Sequence, residues 1–113
     1  MGYKLIAKNS RTSKQPFINI TGNYIRFSPW FRDNNIIKRY VLFYSNDDGF
    51  LCMRFLGDKA EGAYSITYRA DAKTYYLSCP RPLLPLINEG RYDVKEKDGY
   101  YITDCKLNLK DNQ

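Results

Sequence analysis

The chain has 113 residues, a hydrophobic fraction of 43% and a mean hydropathy of -0.58, which fit one soluble globular domain and exclude a second domain of ordinary size. Its 18 basic and 12 acidic residues give a net charge of +6, and 16% of its residues are aromatic, a composition that favours β-strands. The absence of histidine excludes histidine-based triads, histidine general bases and histidine metal ligands.

The first half of the chain predicts two hairpins joined by a short helical turn. Apolar and polar side chains alternate on both sides of Gly22-Asn23, which is typical of half-buried strands around a tight turn. Ser28-Pro29 is typical of a helix start, and Asp48-Gly49 is typical of a hairpin turn. In chain order, we expect strands at residues 17–20 and 24–28, a helical turn at 30–34, and strands at 39–45 and 50–56.

The second half predicts four more strands and a proline-rich connector. Turns at residues 70–72 and at Asp98-Gly99 separate runs that are rich in tyrosine and β-branched residues. Three prolines in residues 80–90 exclude a long helix there and leave room for a short turn. The expected strands span residues 64–69, 74–79, 91–96 and 100–107, and residues 3–8 are a further candidate strand.

Residues 24–56 and 75–107 share one pattern, which indicates an internal duplication. Each begins with an aromatic strand that ends in a small residue and a proline, and each later turns at Asp-Gly. One such unit leaves its apolar faces uncovered, whereas two units can interleave into a closed barrel without exposed edges. We therefore expect an all-β fold, a small barrel of two related ββ-turn-ββ halves with at most short helical turns. The single domain 1–113 would comprise a basic N-terminal segment 1–16, a first half 17–57, a second half 63–107 and a frayed tail 108–113.

The excess positive charge is confined to the start of the chain. The first 32 residues contain six cations and no anion, and the rest of the chain contains 12 basic and 12 acidic residues. The six cations are Lys4, Lys8, Arg11, Lys14, Arg26 and Arg32. Such segregation favours a polyanionic partner, because each cation that neutralises a phosphate releases a counterion. A solvated basic segment without a partner and an acidic protein partner are the alternatives.

The run Thr21-Gly22-Asn23-Tyr24-Ile25-Arg26-Phe27-Ser28-Pro29, followed by residues 39–45, Asp48-Gly49 and residues 50–56, resembles the AbrB/MazE-like swapped-hairpin family. In that family two short chains usually interleave, whereas here one chain would supply both halves. The resemblance implies double-stranded DNA binding, usually in the regulation of transcription. It assigns the DNA face to the first strand and turn, and so points to Asn23 and Arg26.

No catalytic set stands out, and we expect no enzymatic activity, no cofactor and no metal. Asp47-Asp48 lies in a predicted turn, where aspartate is ordinary, and the serine and cysteine nucleophiles lack a histidine partner. Cys52, Cys79 and Cys105 show no disulfide or zinc spacing, and we expect them to be buried in strands of an intracellular protein. The N-terminal residues do not resemble a signal peptide, and no run of residues approaches the length of a membrane span.

The leading hypothesis is a non-catalytic nucleic-acid-binding protein that uses its basic N-terminal half, with DNA favoured over RNA and transcription regulation as the expected role. The candidate contact residues are Lys8, Arg11, Lys14, Asn23, Tyr24, Arg26, Arg32, Lys38 and Arg39. Aromatic side chains among these cations are also typical of proteins that stack on unpaired bases, and the candidates are Tyr24, Trp30, Phe31 and Tyr40. The alternative is a phage-encoded inhibitor that binds an acidic surface of a host or defence protein. Either protein would act as a monomer or homodimer, away from membranes, in the cytoplasm of a bacterial or phage-infected cell.

Overall fold

The computed structural model describes residues 15–109, in which nine strands, one short helix and one 3-10 turn follow one another along the chain. The strands are β1 Phe17–Thr21, β2 Tyr24–Phe27, β3 Tyr40–Ser45, β4 Phe50–Leu56, β5 Tyr64–Ser65, β6 Thr67–Arg69, β7 Thr74–Ser78, β8 Gly90–Lys97 and β9 Tyr100–Lys106. The helix α1 spans Pro29–Asp33, and the 3-10 turn spans Leu84–Leu86. The expected all-β class is confirmed.

Alternating side chains build the first hairpin, as the sequence predicts. Ile18 and Ile20 of β1 and Ile25 and Phe27 of β2 point into the core, and the residues between them face outward. Gly22 takes a φ of 56° at the first central position of the two-residue turn, a conformation that glycine adopts without strain. The pattern therefore fixes which side chains of β2 reach the outer surface.

All strand pairs are antiparallel, and the sheet curves until its two ends nearly meet. The strand order is β5-β3-β4-β9-β8-β1-β2-β7-β6, so that the two end strands are neighbours in the chain with Ile66 between them. The segment 64–69 pairs with β3 through its first part and with β7 through its second part. The sequence predicts one strand here, and the structure has two because the segment changes partners at Ile66. The other predicted strand bounds within residues 15–109 agree with the observed ones to within one residue.

The strand order has a two-fold pseudosymmetry that matches the proposed duplication. We treat the strands as a closed ring in which the β5–β6 segment is one member. When β1 is exchanged with this segment, β2 with β7, β3 with β8 and β4 with β9, the same ring results in the opposite direction. The equivalent strands β2 and β7 pair with each other, with Ile25 opposite Leu77. The equivalent strands β4 and β9 also pair, with Cys52 opposite Ile102. The barrel therefore consists of two interleaved halves, as expected.

Phe31 from α1 fills one end of the barrel core. Its side chain is 0% exposed, and its ring lies 5.5 Å from that of Phe27 and 5.8 Å from that of Phe55, between ring centroids. Tyr101 of β9 completes the cluster, with its ring centroid 6.0 Å from that of Phe31. Burial of such a ring contributes about 1.5–3 kcal/mol, and the aromatic contacts add to it. The helix is short, but it seals the barrel.

The structure tests two local predictions, the helix start at Ser28-Pro29 and the burial of the cysteines. Ser28 precedes the helix and Pro29 begins it, as predicted, but the Ser28 hydroxyl makes no capping bond. The hydroxyl instead donates to the Gln15 carbonyl oxygen and accepts from the Phe17 backbone N–H, which attaches the start of β1 to the helix start.

All three cysteines are free and buried. The candidate strand at residues 3–8 lies outside the described residues, and so does most of the expected tail.

Candidate nucleic-acid interface

Three predicted contact residues lie outside the part of the chain that the structure describes: Lys8, Arg11 and Lys14. Residues 1–14 contain four basic residues and no acidic one, whereas residues 15–109 contain 13 basic and 11 acidic residues. The described barrel is therefore close to charge balance. Any interface on it must depend on the local placement of arginines and aromatic rings rather than on bulk charge.

One outer surface of the barrel combines arginine side chains with tyrosine rings. Tyr24 and Arg26 of β2, Tyr76 of β7 and Arg69 of β6 line a shallow depression of about 200 Å³, together with Thr74 and Ala72. We call Tyr24, Arg26, Arg69 and Tyr76 the arginine–tyrosine face. The depression is smaller than the ~300–1,000 Å³ of a typical small-molecule pocket, so it is too small to enclose a ligand of that class.

Strand register brings the two tyrosines together. Arg26 lies opposite Tyr76, and Tyr24 lies opposite Ser78, so the two rings occupy diagonal positions on one outer face. The rings of Tyr24 and Tyr76 pack edge to face, with centroids 5.8 Å apart and planes at 66°. Tyr24 is 42% exposed and Tyr76 is half-buried. The pair is therefore an oriented aromatic surface that remains open to solvent.

The two arginines are held beside these rings without being buried. The Arg26 guanidinium lies 5.7 Å from the Tyr24 ring centroid and donates to the Thr21 hydroxyl at 2.7 Å. Arg69 donates to the Asp71 carboxylate at 3.0 Å, and this bond lowers the pKa of Asp71 below its usual value. Exposed ion pairs of this kind contribute little, because water competes for both partners. A phosphate can therefore replace Asp71 at Arg69 at low cost.

A third arginine extends the basic row to β8. Arg91 lies opposite Asn19 of β1, and Asn19 lies opposite Arg26. The Arg91 guanidinium sits over the Phe17 ring, 3.7 Å from its centroid. Arg91, Arg26 and Arg69 thus occur on every second strand of the run β8-β1-β2-β7-β6. Neighbouring strands are about 4.8 Å apart, so the backbone positions of these arginines are separated by about 10 Å across the sheet.

Arg32 is a predicted contact residue that the structure places in an internal link. Its guanidinium binds the Asp33 carboxylate at 2.9 Å and donates to the Lys73 carbonyl oxygen at 3.1 Å. These bonds connect α1 with the end of the β6–β7 turn, and Asp33 raises the pKa of Arg32. Because three of its five N–H donors are used in these bonds and it does not line the depression, we assign Arg32 to the support of the arginine–tyrosine face rather than to the face itself.

Lys38 and Arg39 lie just before β3, away from the arginine–tyrosine face. Both are exposed, and they line a separate depression of about 270 Å³ with Tyr68. The Arg39 carbonyl oxygen accepts the Ile66 backbone N–H at 2.9 Å, where the two ends of the sheet meet. These two cations are therefore not brought together with Arg26 by the fold.

Asn23 is exposed in the β1–β2 turn, but an acidic group lies beside it. The Glu89 carboxylate accepts the Gly22 backbone N–H at 2.7 Å. The Asn23 carbonyl oxygen accepts the Cys79 backbone N–H, which holds the turn against the end of β7. The turn that the family resemblance assigns to DNA thus carries a negative charge.

A similar group of side chains on the opposite side of the barrel provides an internal comparison. Tyr44 and Tyr100 pack edge to face with centroids 5.5 Å apart, and the Arg54 guanidinium lies 5.4 Å from the Tyr100 ring centroid. The neighbouring surface is lined by Asp98 as well as Lys97. Both arginine–tyrosine groups can be mutated in parallel, and the one with Asp98 serves as a control.

The chain matches no protein-family model, no curated protein and no solved structure. Within residues 15–109, no three His, Cys, Asp or Glu side chains are grouped so that they could hold a metal ion. In the same range, no helix has the length and apolar character needed to cross a membrane.

Proposed function

We propose that this protein binds nucleic acid without catalysis, through the arginine–tyrosine face. The observation that carries the proposal is the edge-to-face pair Tyr24–Tyr76 on an exposed sheet surface that also carries Arg26 and Arg69. Arginine provides phosphate contacts, and exposed tyrosine provides a flat apolar surface for bases. Regulation of transcription is the role that the family resemblance predicts for such binding.

The basic N-terminal segment supports the same proposal. Its four cations in residues 1–14 belong to the same chain as the face, and they add phosphate-neutralising capacity that the nearly balanced barrel lacks. Binding should therefore weaken steeply as salt rises, because each neutralised phosphate contributes to the slope of log affinity against log salt.

Fluorescence anisotropy of labelled oligonucleotides, titrated across salt concentrations, tests the proposal. The double variant Arg26→Gln/Arg69→Gln should bind more weakly and reduce the salt slope by about 1.5 units. The matched control is Arg54→Gln/Lys97→Gln, which removes the same net charge from exposed side chains on the opposite side of the barrel. This control should leave the slope close to that of the unmodified protein.

Two results would contradict the proposal. Failure to bind both DNA and RNA at low salt would contradict nucleic-acid binding. It would leave the two alternatives from the sequence, an acidic protein partner or a solvated basic segment without a partner. An equal loss of slope in both double variants would show that binding follows net charge and not the arginine–tyrosine face.

A further inference from the structure

We propose that the ligand of the arginine–tyrosine face is a single strand, whose unpaired bases stack on Tyr24 and Tyr76. This inference rests on the proposed function and specifies its substrate class. It differs from the family resemblance, which implies binding to double-stranded DNA. Three features of the barrel favour a single strand.

The first feature is the continuity of the sheet that forms the face. β2 lies between β1 and β7, and β7 lies between β2 and β6, so the face is part of a continuous sheet. Readout of a duplex usually requires an α-helix or a two-stranded ribbon that enters the major groove. Within residues 15–109, the α-helix has five residues and directs Phe31 into the core. A continuous sheet surface suits a ligand that lies across it, as single-stranded nucleic acids do on aromatic platforms.

The second feature is the charge beside the β1–β2 turn, which immediately precedes Tyr24 in the chain. The Glu89 carboxylate bound to the Gly22 N–H places a negative charge where a duplex backbone would approach. Like charges repel more strongly near a protein surface than in bulk water. A single strand that crosses β2 and β7 can avoid this turn, whereas a rigid duplex centred on Asn23 cannot.

The third feature is the exposure and orientation of the tyrosine rings. Tyr24 is 42% exposed, and its contact with Tyr76 orients its ring on the outer surface. Bases in a duplex are stacked on one another and do not offer their faces, whereas unpaired bases do. Arg91, Arg26 and Arg69 on alternating strands can hold the phosphates of a strand that runs across the sheet.

The test compares a labelled oligothymidine with a duplex of equal length, by anisotropy at one salt concentration. We expect the oligothymidine to bind at least about tenfold more tightly than the duplex. Tyr24→Ala should weaken oligothymidine binding about tenfold, whereas Tyr24→Phe, which keeps the ring, should retain most of the affinity. Tyr44→Ala is the matched control, because Tyr44 is 39% exposed and packs edge to face on Tyr100 across the barrel.

The outcomes separate this inference from the proposed function. Duplex binding equal to or tighter than oligothymidine binding would overturn the single-strand inference and keep nucleic-acid binding. Unchanged oligothymidine affinity in Tyr24→Ala, with weakened affinity in Arg26→Gln/Arg69→Gln, would overturn base stacking alone. Absence of binding to both probes and to an oligouridine of the same length would overturn the proposed function itself. Thermal unfolding of each tyrosine variant checks that the barrel remains folded.

Discussion

Tyr24 of β2 and Tyr76 of β7 contact each other edge to face across the strand pair that joins the two halves of the barrel. The β2–β7 register places Arg26 opposite Tyr76 and Ser78 opposite Tyr24. One tyrosine of the pair therefore lies opposite an arginine, whereas the other lies opposite a serine. A ligand that crosses the pair meets different charges at its two ends.

Substitution of Ser78 by arginine should strengthen the binding of nucleic acid. Ser78 is exposed and lies opposite Tyr24, so Ser78→Arg places a second cation beside the tyrosine pair. One further phosphate contact should raise the salt slope by about 0.7–0.9 units and increase affinity at low salt. Anisotropy titrations measure both quantities. Ser45→Arg, at an exposed position at the end of β3, is the control that adds the same charge elsewhere. An equal gain in affinity from this control would contradict a local effect.

Removal of the negative charge at the β1–β2 turn should also strengthen binding. In Glu89→Gln an amide oxygen can still accept the Gly22 N–H, but the carboxylate charge is lost. A like charge about 8 Å from a phosphate costs about 0.5 kcal/mol in water, so affinity should rise about twofold at low salt. Asp47→Asn, in the β3–β4 turn, changes net charge equally and should have a smaller effect. Equal effects of the two substitutions would show that the position of Glu89 is irrelevant.

Phe31 should be a principal determinant of stability, because it links α1 to the aromatic core. Phe31→Ala removes a fully buried ring that contacts Phe27, Phe55 and Tyr101. We expect a loss of about 3–5 kcal/mol in the free energy of unfolding, measured by urea denaturation. Leu84→Ala, at a side chain that is 40% exposed, should change stability by less than about 0.5 kcal/mol. A loss below about 1 kcal/mol for Phe31→Ala would contradict the role of α1 in sealing the barrel.

The buried thiols predict how stability changes with pH. Burial raises the pKa of the Cys52, Cys79 and Cys105 thiols above their ordinary values. A thiol with a raised pKa in the folded state contributes full stability below its unfolded pKa and loses that contribution as pH rises through the folded pKa. The free energy of unfolding should therefore fall above about pH 8.5. Urea denaturation at several pH values checks this, and a stability that rises over that range would contradict it.

Cysteine variants identify the source of that pH dependence. Cys105→Ala removes a thiol that is 1% exposed, and its stability should fall less steeply above about pH 8.5 than that of the unmodified protein. If the unfolding free energy of this variant falls with pH as steeply as that of the unmodified protein, the pH dependence belongs to other groups. Tyr92 and Tyr101 are such groups, because burial also raises their pKa values.

Much of the fold follows from local sequence patterns. Period-two alternation predicts both strands of the first hairpin, and the repeated pattern of residues 24–56 and 75–107 predicts two interleaved halves. The change of partner at Ile66 could not be predicted, because it depends on where the two ends of the sheet meet. The bonds of the Ser28 hydroxyl depend on the path of Gln15 and Phe17 beside the helix start, which a capping pattern does not specify.

The candidate site was predicted only in part. The sequence singled out Tyr24 and Arg26, which share an outer face of β2, but it missed Arg69, Tyr76 and Arg91. These residues are distant in the chain and reach the same surface only through the registers of β6, β7 and β8. The alternation of apolar and polar side chains along those strands was the available signal, but it does not say which strands are neighbours.

Arg32, Lys38 and Arg39 were predicted to share a surface with Arg26, and the structure does not group them with it. They are close to Arg26 in the chain, and a charge count groups them with it. In the structure Arg32 binds Asp33 and the Lys73 carbonyl oxygen, and the other two lie beside Tyr68. Proximity along the chain therefore did not predict which side chains share a surface, because strand register brings Arg69 and Tyr76 beside Arg26 from distant parts of the chain.

A map of amide chemical shifts during titration with oligothymidine is the most direct test of binding by the arginine–tyrosine face. Nuclear magnetic resonance of the isotope-labelled protein would report each backbone amide separately. Binding by this face predicts shifts on β2, β6 and β7 around Tyr24, Arg26, Arg69 and Tyr76, and little change around Tyr44 and Tyr100. Shifts confined to β4 and β9, or none with either DNA or RNA at low salt, would contradict nucleic-acid binding by the arginine–tyrosine face.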